Sequence, residues 1–209
     1  YCIKVRRSSD NTEQDIGFSN NILDTNSLKS FVGANNGFVS VWYDQSGNGN
    51  DMMPSSVGAQ PLYVYNGLNN KPILRFNTGQ SIKNNVNFTP PYTVVYAAKQ
   101  TGSSRGRVLN ANNNNWLLGW WNGSKSQAYY DGWVSQPGGI SADNNPYVYT
   151  ATGTGSASTI FENGISKTVN TNGGSTGPNG LRINESESSD ADVADILVFD
   201  SVLSDSNRE

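Results

Sequence analysis

The sequence predicts an all-β protein: a two-sheet antiparallel jelly-roll sandwich with one or two short helices. Three observations support this fold class. Short runs of apolar and β-branched residues recur at spacings of about 8–12 residues. Dipeptides typical of tight hairpin turns separate several of these runs, such as Asn122-Gly123 and Asn163-Gly164. Only one segment has the spacing of an amphipathic helix.

That helical segment covers residues 24–33 and is about two turns long. Asp24 or Thr25 can accept hydrogen bonds from its first amides, and Gly33 can end it. Its apolar residues fall at positions i, i+3 and i+4, which are occupied by Leu28, Phe31 and Val32.

Strands are predicted where apolar residues alternate, or run together, between turn residues. The run at 93–98 is apolar on both faces, as in a strand that is covered on both sides. In chain order the predicted strands are residues 1–7, 38–43, 61–65, 72–76, 88–99, 107–109, 116–121, 127–130, 147–152, 158–161, 165–169, 181–183 and 193–199.

The composition excludes several classes of protein. The net charge is -3, and no basic run is longer than Lys4–Arg7, so nucleic-acid binding is not expected. No apolar run approaches the ~20 residues that would span a bilayer, so membrane insertion is not expected. Histidine is absent, which excludes catalytic triads and zinc sites that contain it. The single cysteine, Cys2, excludes a disulfide within the chain.

The length of 209 residues and the lack of an internal linker indicate that residues 1–209 form a single domain. Tyr1 opens the chain within a strand-like run, and there is no initiator methionine. The chain is therefore expected to be a segment of a longer protein.

Residues 41–51 join a strand end to a polar turn. The glycines of this turn permit positive φ, and Asp44 can hydrogen-bond to the backbone of the turn. The run Y-D-Q-S-G-N-G-N at 43–50 resembles a segment of the concanavalin A-like jelly-roll families, namely laminin-G-like domains and the catalytic domain of fungal α-L-arabinofuranosidase B. Residues 6–18 and 200–205 extend the resemblance to laminin-G-like domains. It implies a concanavalin A-like, laminin-G-like fold for the whole chain.

An aromatic cluster is the first candidate site, and its predicted ligand-binding residues are Trp120, Trp121, Tyr129, Tyr130 and Trp133. Adjacent strand residues face opposite ways, so one member of each neighbouring pair points outward. Outward aromatic rings beside amide side chains would suit a glycan, because the rings pack on sugar C–H groups. The alternative is that all of these rings fill the core.

A carboxylate pair is the second candidate. The resemblance to the arabinofuranosidase implies a glutamate nucleophile on a mid-chain strand and an aspartate acid before the closing strands, and Asp131 and Glu185 are the matching positions. The sequence departs from the family here, because Asp131 lies in a turn and the family's adjacent cysteine pair is absent.

Calcium is the third candidate ligand. Acidic residues crowd the approach to the last strand, and Glu185, Asp190 and Asp192 are the predicted ligands. Laminin-G-like domains often hold a calcium ion. The alternative is a solvated acidic loop.

Three function classes follow. The first is a non-catalytic carbohydrate-binding or adhesion module whose partners are a glycan or polysaccharide and the other domains of a parent protein. The second is a structural decoration domain of a virion, fibre or adhesin. The third is a retaining glycoside hydrolase similar to α-L-arabinofuranosidase. The expected location is extracellular, on a cell surface or on a virion surface.

Overall fold

Two antiparallel sheets pack face to face around one apolar core, as predicted. A computed structural model describes residues 1–208. Its strands are Ile3–Arg7 (β1), Glu13–Ile16 (β2), Phe18–Ser19 (β3), Ile22–Leu23 (β4), Gly37–Trp42 (β5), Leu62–Val64 (β6), Ile73–Phe76 (β7), Ile82–Lys83 (β8), Tyr92–Arg105 (β9), Leu109–Ala111 (β10), Trp116–Trp121 (β11), Ser124–Tyr130 (β12), Ile140–Ser141 (β13), Tyr147–Gly153 (β14), Ser158–Glu162 (β15), Ile165–Ser166 (β16), Leu181–Ile183 (β17) and Ser189–Phe199 (β18).

The first sheet has ten strands in the order β16-β15-β14-β9-β18-β7-β6-β5-β1-β2. The second sheet has six strands in the order β13-β12-β11-β10-β17-β8. The short strands β3 and β4 form a separate hairpin. Strands that are distant in sequence lie side by side in each sheet, such as β18 beside β7 and β17 beside β10, so the site described below is assembled from distant parts of the sequence.

The two α-helices are Thr25–Val32 (α1) and Asp205–Arg208 (α2). The predicted cap of α1 is confirmed, because the Ser27 amide donates to the Asp24 carboxylate at 3.0 Å. The apolar face of α1 is buried, and Gly33 ends the helix at a φ of 59°. Neither helix within residues 1–208 has the length and apolar composition needed to cross a membrane.

The core is rich in aromatic side chains, and both sheets contribute them. Trp116 and Tyr130 stack with ring centroids 5.2 Å apart. Trp120 meets Tyr149 of the facing sheet edge-on at 4.8 Å. The hydroxyl of Tyr96 donates to the Leu118 carbonyl across the core at 2.6 Å. This bond satisfies the one polar atom of the Tyr96 side chain, which is fully buried.

The turn at 44–51 has the local chemistry that the sequence predicts. The Asp44 carboxylate accepts from the Ser46 amide at 2.9 Å and from the Asn50 amide at 3.0 Å. Partial desolvation raises the pKa of Asp44, but the hydrogen bonds from Ser46 and Asn50 outweigh it and lower the pKa overall. Asp44 therefore acts as a turn-forming residue, and Asp51 supports it by accepting from the Asp44 amide at 2.8 Å.

Candidate functional site

The outer face of the second sheet carries three aromatic rings that are partly exposed: Trp121, Tyr129 and Trp133. The Trp133 ring lies 5.0 Å from the Trp121 ring and 5.2 Å from the Tyr129 ring, measured between centroids. We call these three residues the aromatic cluster. Its rings are held against one another, so they present a pre-formed apolar surface to solvent.

Two local features place the cluster. Trp121 is the last residue of β11, and its side chain points to the outer face. Tyr129 of β12 points to the same face. Asp131 then adopts a φ of 68°, which turns the chain back so that Trp133 forms a bridge with Tyr129. The Tyr130 amide donates to the Gly132 carbonyl at 2.9 Å and closes this turn.

The remaining two residues of the predicted ligand-binding set belong to the core. Trp120 and Tyr130 are both 0% exposed, so a ligand on the outer face does not reach their rings. Trp120 and Tyr130 are therefore the inward members of the two neighbouring pairs, and Trp121 and Tyr129 are the outward ones. The physical reason is the alternation along β11 and β12, which sends Trp120 and Tyr130 inward and their neighbours Trp121 and Tyr129 outward.

Beside the aromatic cluster, the same side of the sheet is buried at Leu117 and Asn110, which are at most 1% exposed, and is partly exposed again at Arg182. The strand registers place Tyr129, Leu117, Asn110 and Arg182 in one row across β12, β11, β10 and β17. Arg182 Nε donates to Asn110 Oδ1 at 2.7 Å. Asn110 Nδ2 donates to the Glu185 carbonyl at 2.9 Å, which holds the segment after β17 against this face.

Arg107 adds a second guanidinium to the same side of the molecule. Its Nη1 donates to Asn115 Oδ1 at 2.9 Å, and its Nε pairs with the Glu187 carboxylate. Asn115 directly precedes β11, and its carbonyl accepts from the Asp131 amide at 3.2 Å. The loops before β11 and after β17 are therefore linked at the edge of the face through Arg107.

Sequence reasoning missed Asn110, Arg107 and Arg182. One signal was available, because Arg182 alternates with the apolar residues Leu181 and Ile183 and so had to point outward. Its neighbours on the face depend on strand order, which the alternation does not reveal.

The structure does not bring the predicted catalytic carboxylates together. Asp131 lies in an exposed turn after β12. Glu185 pairs with Lys83 at 3.1 Å, and Lys83 lies on β8, at the opposite edge of the sheet from β12. A retaining glycosidase needs its two carboxyl groups ~5–5.5 Å apart. Glu185 follows β17, which lies three strand spacings from β12 in the sheet, or ~14 Å at ~4.8 Å per strand.

The predicted calcium ligands also have other partners. Both Nε and Nη2 of Arg75 donate to the Asp192 carboxylate, at 2.7 and 2.8 Å. The Asp190 carboxylate accepts from the backbone amides of Thr78 and Ser104. Within residues 1–208, no three or more acidic or cysteine side chains are placed to hold a metal ion. Glu185, Asp190 and Asp192 are therefore close in sequence but do not form a cluster of three that could hold a metal ion.

Two clefts lie away from the aromatic cluster. A cleft of about 490 Å³ is lined by polar residues of the first sheet, including Arg75, Lys99 and Asp190. A groove of about 250 Å³ lies between β12 and the segment that follows β15, with Lys125 and Lys167 on its walls. Neither is lined by an aromatic residue, so the aromatic cluster is an open surface outside both.

Solved structures of carbohydrate-active proteins share this fold. An arabinofuranosidase complexed with arabinofuranosyl-α-1,2-xylobiose is 13% identical, with a TM-score of 0.66. A mutant GH54 α-L-arabinofuranosidase soaked with 4-nitrophenyl α-L-arabinofuranoside is 14% identical, with a TM-score of 0.69. In both cases the match covers 99% of this chain but only 56% of the other.

A third similar structure is domain 4 of AbnA, a GH43 extracellular arabinanase from Geobacillus stearothermophilus, in complex with arabinotriose. It is 15% identical with a TM-score of 0.60, and the match covers 78% of this chain and 88% of that one. At these identities the likeness shows the fold alone. Neither the protein-family models nor the curated protein sequences give a match to this chain.

Proposed function

We propose that this chain is a non-catalytic carbohydrate-binding module that binds a glycan or polysaccharide on the outer face of its second sheet. The observation that carries the proposal is the aromatic cluster: Trp121, Tyr129 and Trp133 are partly exposed, with neighbouring ring centroids no more than 5.2 Å apart. Rings of this kind pack on the C–H faces of sugars, and the exposed Asn115 places an amide nearby for hydroxyls.

The fold comparisons support a carbohydrate-related role. Three structures of this fold were determined for proteins named as arabinofuranosidases or as an arabinanase domain, and one of them contains arabinotriose. In the proposed setting the chain is a module of a longer extracellular, cell-surface or virion-surface protein. Its partners are then the glycan and the other domains of that protein.

Isothermal titration of the 209-residue chain against a panel of neutral and acidic plant and bacterial polysaccharides tests the proposal. A sugar that covers about 40–80 Å² of an indole ring contributes about 1–2 kcal/mol at about 25 cal/mol per Å². We therefore expect Trp133→Ala and Trp121→Ala each to weaken binding about 5- to 30-fold. Phe18→Ala is the matched control, because Phe18 is an exposed aromatic residue on the separate β3–β4 hairpin.

Two results would overturn the proposal. One is a folded chain that binds no polysaccharide of the panel, which favours the structural decoration role. The other is binding that survives both tryptophan substitutions unchanged.

A glycoside hydrolase is the second candidate, because the match to two arabinofuranosidase structures extends over 99% of this chain. The separation of Asp131 from Glu185 argues against it. Turnover of 4-nitrophenyl α-L-arabinofuranoside distinguishes the two functions, and we expect none above the uncatalysed rate. Turnover that Asp131→Asn or Glu185→Gln abolishes would establish the hydrolase instead.

A further inference from the structure

We infer that the glycan bound by this face is acidic and that Arg182 binds its carboxylate group. This inference rests on the proposed function, because it names the chemical class of the ligand for the same face. The hydrogen bonds of the arginine side chains distinguish one residue of the outer face from all the others.

Arg182 differs from the other six arginines. Among residues 1–208, it is the one arginine whose terminal nitrogens, Nη1 and Nη2, both have no protein hydrogen-bond partner, and it belongs to no ion pair. In each of the others at least one terminal nitrogen donates to a protein oxygen; these are Arg6, Arg7, Arg75, Arg105, Arg107 and Arg208. The free side of the Arg182 guanidinium therefore retains its two parallel donors.

The environment of Arg182 favours a bound anion. Partial burial of the guanidinium lowers the pKa of Arg182, the nearby charge of Glu185 acts in the opposite direction, and the charge of Arg107 adds a smaller lowering. Arginine remains charged throughout the ordinary pH range, so this desolvated cation is stabilised when an anion approaches it. Two parallel N–H groups match the two oxygens of a carboxylate.

The charges around Arg182 are otherwise balanced. Glu185 pairs with Lys83, and Glu187 pairs with Arg107. Arg182 is left as the unpaired charge of this group, while the whole chain has a net charge of -3. A polyanion is therefore not attracted by the protein as a whole, and selectivity for it has to come from the local site.

The geometry links this charge to the aromatic cluster. Arg182 and Tyr129 occupy the same row of the outer face, three strands apart, which corresponds to ~14 Å between their backbones at ~4.8 Å per strand. That span exceeds one sugar ring. The arrangement fits an oligosaccharide that packs one sugar on the rings of the aromatic cluster and directs a uronate carboxylate of another towards Arg182. Between these two contacts the chain of sugars passes over Leu117 and Asn110, which are buried and contribute no contact.

Matched pairs of polysaccharides test the inference. The probes are polygalacturonate, alginate and glucuronoxylan, each compared with its carboxyl-reduced form, which keeps the sugar linkages and removes the charge. We expect the 209-residue chain to bind at least one acidic form 10-fold or more tightly than its reduced form. Arg182→Gln is expected to abolish this preference, and Arg182→Lys to retain part of it, because lysine keeps the charge and loses the fork.

Two further variants separate the roles of the residues. Trp133→Ala is expected to weaken the acidic and the reduced forms by the same factor, because it removes only apolar contact. Glu185→Gln is expected to tighten the acidic form alone, since it removes the negative charge nearest Arg182. A pH titration adds a second readout: affinity for the acidic form falls below the pKa of the uronate carboxyl group, while affinity for the reduced form stays constant.

The failures of the two proposals are distinguishable. Equal affinity for the acidic and reduced forms, or binding of neutral polysaccharides only, overturns the inference and leaves the carbohydrate-binding function intact. The same holds if Arg182→Gln weakens both forms equally, because Arg182 then contacts hydroxyl groups. No binding to any acidic, reduced or neutral polysaccharide overturns the proposed function itself, and the inference with it.

Discussion

Replacing Arg75 by methionine is expected to destabilise the fold strongly. Arg75 makes two charge-assisted hydrogen bonds to Asp192, and the Asp192 side chain is 1% exposed. Removing the guanidinium leaves a buried carboxylate without its partner, a change that costs about 3–5 kcal/mol. Lys99 lies opposite Asp192 on β9 and is able to compensate in part, so we expect a loss near the lower end, about 3 kcal/mol.

Urea denaturation at neutral pH measures this loss as a change in the free energy of unfolding. The matched control is Lys4→Met, because Lys4 and Asp15 form a pair at 3.8 Å in which both side chains are 32% exposed. That substitution is expected to cost less than about 1 kcal/mol. The double substitution Arg75→Met, Asp192→Asn is expected to recover part of the loss, because it removes the unpaired charge.

A loss below about 1 kcal/mol for Arg75→Met would refute this reasoning, since it would mean that Asp192 does not depend on Arg75. The result also bears on the calcium prediction. The Asp192 carboxylate accepts two hydrogen bonds from the Arg75 guanidinium and so joins β18 to β7. It therefore has few lone pairs left for a metal ion.

Three further outcomes are expected. Gly119→Ala should lower the free energy of unfolding by about 3 kcal/mol, measured by thermal melting, because Gly119 has a φ of 99° and an added Cβ would lie 2.1 Å from Tyr96 Oη. Asp143→Asn should cost below about 1 kcal/mol at pH 7. Partial desolvation raises the pKa of Asp143, but hydrogen bonds from Lys125 and other donors outweigh it and lower the pKa to about 2. The stabilisation that the ionised Asp143 contributes is therefore present above about pH 4 and is lost as the pH falls to 2. A chelator should leave the melting temperature unchanged, and a lower melting temperature would indicate a structural calcium ion.

The elements that the sequence predicted well are those whose cause is local. The cap at Asp24 and the hairpin at Asn122-Gly123 depend on residues within a few positions of each other, and both are present as expected. Strand β9 is longer than predicted and reaches Arg105, past the polar residues after Lys99. It extends because β18 pairs along it with two register shifts, a tertiary effect that alternation does not encode.

The candidate site was predictable only in part. Alternation established that Trp120 and Trp121 face opposite ways, and burial then decided that Trp121 is the outward one. The Asp131–Glu185 pair was placed by resemblance to a family motif, and such a resemblance does not specify the distance between two side chains in space. Glu185 turns towards Lys83 instead, through a loop in which Ser186 and Glu187 adopt positive φ.

By itself, the sequence determined the fold class, the turn chemistry and the opposite orientation of adjacent aromatic residues, because each follows from interactions between residues that are close along the chain. Tertiary structure alone decided which of these residues share a surface. Tyr129 and Arg182 occupy the same row because β12, β11, β10 and β17 are neighbours in one sheet. Strand order reflects the burial of two whole sheet faces against each other, and no short stretch of sequence contains that information.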